Sequence, residues 1–390
     1  MARRRPGDAG STSLEQLLTA NEVVVTCGSG GVGKTTTGAA LAAMAAAHVG
    51  GRVLVLTIDP ARRLANALGL ERFGNVECEI DRSAFTAAGV TPRGRLSAAM
   101  LDTKASWDDL VDLHAPDQAT RDAILANPLY QNITGKFVQS HDYIAMERLY
   151  EIHSSGRFDL IVVDTPPTRN AIDFLEAPDR MADFFSSRLL RWLTVPARSR
   201  VMNMASKPFY TMADRILGSQ FLEDIAEFFL LFQTMYEGFV ERSRAVSRLL
   251  EDHGTTFVVV STLEPAPAQE AEFFVDALTE RKLHLGALVF NKVLPADLFT
   301  PEAARVADLL CEEPRPVAEA VASVVADTDQ VARVLEEVAE SFLNYRLVAA
   351  REAEEADRLG SRAEVVATVP YLAQEISDLT GLLTIGRHLW

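Results

Sequence analysis

An α/β fold, with a mainly parallel sheet covered by helices on both faces, is predicted by three observations. Short apolar runs at 23–27, 52–58, 157–164, 256–261 and 285–291 alternate with segments of helical periodicity. These runs are apolar at successive positions, as strands buried on both faces are, and do not alternate as half-exposed strands do. Finally, Gly28-Ser29-Gly30-Gly31-Val32-Gly33-Lys34-Thr35 joins the first run to an Ala-rich helical segment. A strand, a glycine turn and a helix in that order form the setting of a phosphate-binding loop.

Taken in order, residues 1–13, with Arg3, Arg4 and Arg5, read as a flexible leader, and 14–18 as the start of a short helix. Strand 23–27, the glycine turn and a helix over about 34–48 follow. Gly50-Gly51 then resets the chain for strand 52–58. Between 70 and 95 the periodicity weakens, and Gly74, Gly89, Pro92 and Gly94 suggest a surface excursion. A strand is expected at 96–101, helices at 102–125 and 142–154, and a buried strand at 157–164 that Pro166-Pro167 stops.

Residues 178–250 show helical blocks and no strand, and are rich in Phe, Met, Leu and Trp. The alternation then returns: strand 256–261, helix 268–281, strand 285–291, a helical insertion over 296–362, strand 364–369 and helix 378–389. The expected division is a core made of 14–177 and 253–390, with a helical insertion at 178–252 and a second around 296–362.

Composition narrows the function. With 48% apolar residues among 390, the chain can bury a full core. A formal charge of −16 opposes nucleic-acid or anionic-membrane binding through net charge. Cys27, Cys78 and Cys311 are too widely spaced for a disulfide framework or a self-contained zinc site. No apolar run reaches the roughly 18 residues a membrane span needs, and the N-terminus lacks a signal-peptide core, so a cytoplasmic location is expected.

The chemistry starts at the glycine turn. Its glycines open backbone angles that let successive N–H groups converge on phosphate oxygens, and the following helix adds its positive end. The candidate nucleotide-binding set is Gly28, Ser29, Gly30, Gly31, Val32, Gly33, Lys34, Thr35 and Thr36. Lys34 would reach the β- and γ-phosphates, and the Thr35 hydroxyl would hold Mg²⁺. Hydrolysis needs carboxylates as well. Asp59 and Asp164 each end a predicted strand, the sheet edge at which ligands collect. Asp164, after four apolar residues, has the form of a Mg²⁺-holding carboxylate. Asp59 is then left to orient or deprotonate the attacking water, with a metal contact as its other role. The sequence thus predicts an α/β P-loop NTPase with an α-helical insertion, binding a nucleoside triphosphate and Mg²⁺, with Lys34 and Asp59 as catalytic residues and Thr35, Asp164 and Asp59 as the metal set.

Three motifs together resemble one family: G-S-G-G-V-G-K-T-T at 28–36, D-P-A-R-R-L at 59–64 and D-T-P-P-T-R-N-A-I-D-F-L at 164–175. The chain is similar to the ArsA-type ATPases, which include arsenite-pump ATPases and tail-anchored protein-targeting ATPases of the deviant-Walker group. The resemblance implies a dimeric ATPase switch whose second and third motifs respond to nucleotide. It also implies adenine contacts from an Asn after a late strand and a proline segment after the last one, here Asn291 and Pro370-Tyr371.

This sequence departs from the family at several points. Ser29 stands where the family carries a lysine that reaches the partner's phosphates, and a hydroxyl supplies no charge. The chain then forms a homodimer in which Arg62, Arg63 or Arg169 takes that part, pairs with a lysine-bearing homologue as a heterodimer, or hydrolyses ATP slowly as a regulatory subunit. Arg169 and Asn170 replace a usual Gly and His. Neither a C-x-x-C pair nor a cysteine cluster for arsenite is present. Residues 178–250 are read either as a helical cap with its own core or as a Met- and Phe-rich groove for a hydrophobic helix or membrane-protein partner. The motor subunit of an anion pump is a further reading.

Overall fold

The computed structural model describes residues 13–58, 62–70, 74–131, 138–166, 176, 180, 183, 228–231, 235–321, 327–372 and 376–390. Asp59, Arg169, Asn170 and most of the apolar block at 178–250 lie outside the described residues, as do the side chains of Arg62 and Arg63.

One eight-stranded sheet organises the chain. Its strands are β1 (Val23–Cys27), β2 (Arg52–Thr57), β3 (Cys78–Glu79), β4 (Arg95–Met100), β5 (Leu160–Asp164), β6 (Thr255–Ser261), β7 (Leu285–Val293) and β8 (Val365–Pro370). The spatial order is β3-β4-β2-β5-β1-β6-β7-β8, and every pairing is parallel except β3 with β4. The four central strands β2, β5, β1 and β6 contain Val, Leu and Ile at successive positions and are buried almost throughout. Apolar side chains on both faces call for a layer above and a layer below.

Two clusters supply those layers. One face packs against helices Thr103–His114, Val138–Ser154, Tyr236–Glu251 and Pro265–Glu280, through Leu110, Ile144, Phe239 and Phe274. On the other face lie helices Leu14–Ala20, Lys34–Met44 and Leu379–Leu389. Here the Ala-rich run keeps the helix close to the sheet, so that a Cβ on Gly38 would stand 3.1 Å from the Thr26 hydroxyl. The helix Lys34–Met44 runs on as a π-turn, Ala45–Val49, before Gly50.

Two expectations are corrected. The excursion at 70–95 contains β3 and the helix Arg82–Ala87, and it buries Ile80 and Phe85 in the core. Elements of two and six residues are too short to show a period, so two anchoring side chains carry the segment. The helix expected at 102–125 is two helices, Thr103–His114 and Gln118–Ala126. Pro116 excludes the helical angles at Ala115, which sits at φ −63°, ψ 132°, and Asp117 caps the second helix. Between β7 and β8 lie a 3₁₀ turn (Ala296–Phe299) and the helices Pro301–Glu312, Arg315–Val321 and Thr328–Gly360. Of the apolar block, Phe228, Met235 and Phe239 are buried in the body, where Phe239 packs among Trp107, His114 and Tyr143.

Candidate active site

β1 lies between β5 and β6, so the loop Gly28–Gly33 emerges at the middle of the sheet's carboxyl edge. Gly28, Gly31 and Gly33 have φ of 144°, 81° and 97°. At Gly28 and Gly33 space demands glycine as well as conformation does. A Cβ on Gly28 would collide with the Val260 carbonyl of β6, and one on Gly33 with the Asn291 amide of β7. The loop is therefore pressed against two neighbouring strands.

Lys34 opens the following helix and is buried, and its Nζ donates to the Ser29 carbonyl at 2.8 Å. Thr35 Oγ1 donates to Asp164 Oδ2 at 2.6 Å, and Thr57 Oγ1 donates to the same oxygen at 3.0 Å. Parallel register brings these groups together, because Asp164 ends β5 beside Thr26 of β1 and Thr57 of β2. Asp164 is fully buried, and both hydroxyls donate to the same one of its two carboxylate oxygens.

This donor set fits Mg²⁺. A hydroxyl and a carboxylate are hard oxygen ligands in contact with each other beside a phosphate loop, and Mg²⁺ commonly takes one or two protein oxygens and completes its shell with water and phosphate. Among the described residues no group of three or more His, Cys, Asp or Glu side chains could hold a metal by itself. The cysteines are dispersed. Cys27 is buried in the central strand β1, and its thiol is pushed well up by burial, with the nearby Lys34 charge acting the other way. Cys78 lies on β3 at one sheet edge, and Cys311 on a helix between β7 and β8 at the other.

The remaining predicted residues are placed as follows. Gly30 and Gly31 are exposed at the loop apex, Val32 is core, and Thr36 is half-buried in the helix's first turn. Ser29 is buried, and its hydroxyl has no hydrogen-bond partner among the described residues. Asn291 Nδ2 donates to the Val32 carbonyl at 2.7 Å, while its Oδ1 accepts the Lys292 N–H at 2.9 Å. One amide proton and one lone pair remain for a base. Pro370 pairs with Val293 in the adjacent strand, the Tyr371 N–H donates to the Val293 carbonyl, and the Tyr371 ring is exposed. Asp59 follows Ile58 at the end of β2, just outside the described residues.

Two residues at the site were missed by sequence reasoning. Thr57 passes as one more β-branched strand residue, and only the pairing of β2 with β5 turns its hydroxyl towards Asp164. Lys292 passes as a surface lysine; its neighbour Asn291 was the only available signal.

Known proteins resemble the chain along this same stretch. The family described as anion-transporting ATPase (ArsA type) matches residues 21–306, from before β1 to the helix after β7. An ATPase get3 of Aspergillus terreus is 28% identical over 279 residues, covering 68% of this chain and 72% of that one. An ATPase ASNA1 homolog 1 of Paramecium tetraurelia is 26% identical, covering 69% and 74%. An ATPase GET3 of Malassezia globosa is 26% identical, covering 74% and 78%. With its glycine loop between β1 and a helix, and a carboxylate ending the neighbouring strand, the chain belongs to the ArsA-type ATPase family and is an ATP-hydrolysing enzyme.

Proposed function

We propose that the chain binds Mg²⁺–ATP in the loop 28–36 and works as a dimeric switch that couples hydrolysis to a hydrophobic helical or membrane-protein partner. The observation that carries the site assignment is the Thr35–Asp164 contact of 2.6 Å at the foot of the loop. Thr35 and Asp164 are the residues assigned to Mg²⁺, which when bound neutralises phosphate charge.

The chain's own part follows from the geometry. Loop N–H groups bind the phosphate tail. Lys34 exchanges the Ser29 carbonyl for β- and γ-phosphate oxygens, which are stronger, charge-assisted partners. Asp59, two positions beyond Thr57, is assigned to orient the attacking water and accept its proton while the bond from the γ-phosphorus to the bridging oxygen breaks. Asn291 and Pro370-Tyr371, side by side at the ends of β7 and β8, are assigned to the adenine.

Ser29 bears on the dimer. Its hydroxyl is buried and its carbonyl is taken by Lys34, so this position supplies no cation to a partner's nucleotide. A lysine-bearing homologue as the second subunit accounts for that; a homodimer using Arg62, Arg63 or Arg169 is the other arrangement. The partner reading rests on the aromatic and Met density at 178–250.

Phosphate release and nucleotide binding by the chain and by Lys34→Ala and Asp164→Asn test the site. Lys34→Ala is expected to lose binding and Asp164→Asn to lose Mg²⁺-dependent turnover; wild-type behaviour in both overturns the assignment. Light scattering with and without ATP reads the dimer, and capture of a hydrophobic helical peptide in any nucleotide state reads the partner.

A further inference from the structure

Two consecutive side chains at the end of β7 reach the outside of the phosphate loop. Asn291 Nδ2 donates to the Val32 carbonyl at 2.7 Å, and Lys292 Nζ donates to the Gly31 carbonyl at 3.3 Å. Neighbours on a strand ordinarily point to opposite faces, so a shared target needs a break in the strand. Lys292 provides that break. It sits at φ 60°, left-handed for a residue with a side chain, and the pairing of β7 with β8 shifts register between Asn291 and Val293. The Asn291 Oδ1 accepts the Lys292 N–H at 2.9 Å and supports the turn. Such a conformation is unfavourable for a residue with a side chain and persists where its surroundings fix it.

The consequence follows from the planarity of the peptide. In a trans peptide, the C=O of one residue and the N–H of the next point in opposite directions. Holding the Gly31 carbonyl outwards turns the Val32 N–H inwards, and holding the Val32 carbonyl outwards does the same for the Gly33 N–H. The space a Gly33 side chain would fill is occupied by the Asn291 amide, so the glycine and the clamp require each other. Lys34 also holds a loop carbonyl, that of Ser29, but from inside the loop, where a phosphate will compete for its ammonium. The contacts from Asn291 and Lys292 come instead from the end of β7.

We propose that Lys292, with Asn291, is a positioning residue for the nucleotide: its ammonium pins the outer Gly31 carbonyl and so aims and polarises the inward N–H groups that hold the phosphate tail. This rests on the nucleotide-site reading above and adds to it a residue that touches the loop and not the reacting atoms. The test compares Lys292→Gly, which suits φ 60° while removing the cation, with Lys292→Arg, which keeps it.

Dissociation rates of fluorescent ATP and ADP analogues, and equilibrium binding of adenosine, are measured on the full chain. Loss of one exposed, charge-assisted hydrogen bond predicts about tenfold faster release of both nucleotides from Lys292→Gly. Lys292→Arg should stay within about threefold of wild type, and adenosine affinity should be unchanged, because adenosine brings no phosphate to the aimed N–H groups. Wild-type release from Lys292→Gly overturns the clamp, as does an equal loss for adenosine, which would place the lysine on the nucleoside. Lys34→Ala separates the two readings. If it abolishes binding while Lys292→Gly does not alter release, the clamp fails and the nucleotide site stands.

Discussion

Thr57→Val removes one hydroxyl from the buried carboxylate while leaving the shape of the strand almost unchanged. In the structure Asp164 Oδ2 accepts from Thr35 at 2.6 Å and from Thr57 at 3.0 Å. With Thr35 assigned to the metal ion, the Thr57 hydroxyl would orient the carboxylate from the β2 side. A hydrogen bond to a charged group is worth about 1.5–3 kcal/mol, and groups that orient a metal ligand typically account for about 10–100-fold in metal affinity or activity. Thr57→Val should therefore raise the Mg²⁺ concentration for half-maximal ATPase activity by about tenfold or more, at saturating ATP. The far-UV spectrum should stay that of wild type, because Thr57 is a core strand position that Val suits. Thr57→Ser should restore most of the loss, since the hydroxyl and not the methyl group acts. An unchanged Mg²⁺ midpoint in Thr57→Val, or a Ser variant as impaired as Val, would refute the reasoning.

Three further outcomes are expected. Gly33→Ala combines a φ of 97° with a side chain that must expel the Asn291 amide from the Val32 carbonyl, so it should weaken ATP binding by about 2–4 kcal/mol. In an Asn291→Ala background the same change should cost measurably less, and isothermal titration of the four variants reads the coupling. Glu77 is next: burial alone would lift its carboxyl, but hydrogen bonds and charge from Arg157 and Arg148 hold it below the ordinary range. A lowered folded value stabilises above the unfolded one, so Glu77→Gln should lower the melting temperature at pH 7, with the gap closing as pH falls below about 4.3. Last, the buried Glu147 pairs with the half-buried Arg242 and so joins Val138–Ser154 to Tyr236–Glu251. Arg242→Ala should cost about 3–5 kcal/mol by stranding the carboxylate, and replacing both by Met far less, as thermal unfolding of the three variants can check.

Most of the fold was legible because its strands are apolar at successive positions and its turns carry Gly or Pro. The loop, Lys34, Thr35 and Asp164 were legible because phosphate and metal chemistry ties residue type to spacing. What was missed depends on tertiary pairing. The Thr57 hydroxyl acquires its meaning from the lateral neighbour β5, which is more than a hundred residues away in sequence. Lys292 reaches the loop only through a left-handed residue at a register shift, and a Lys after an Asn gives no sign of either. The segment at 70–95 hid β3 and a short helix for another reason: Ile80 and Phe85 are single anchors, and a period cannot be read from one residue per element.

The two flanks of the loop are held by different kinds of contact, and this determines which flank can respond to nucleotide. On the β6 and β7 side Gly28 lies against the Val260 carbonyl so closely that no Cβ fits, and the Asn291 and Lys292 side chains hold the Val32 and Gly31 carbonyls. On the β2 and β5 side the contacts are hydroxyl to carboxylate, from Thr35 and Thr57 to Asp164. A hydroxyl re-aims by a rotation about one bond and accepts a new partner without moving the chain. If Lys34 exchanged the Ser29 carbonyl for phosphate, and Thr35 exchanged Asp164 for a metal ion, the second flank would loosen while the first stayed in place. The strand ends on that flank continue into 59–64 and 164–175, the stretches whose motifs resemble the two switches of the family. Amide hydrogen exchange should accordingly change with ATP at 57–64 and 164–175, and stay constant at 258–261 and 288–291. Protection changes confined to β6 and β7 would mean that the rigid flank had been assigned to the wrong side.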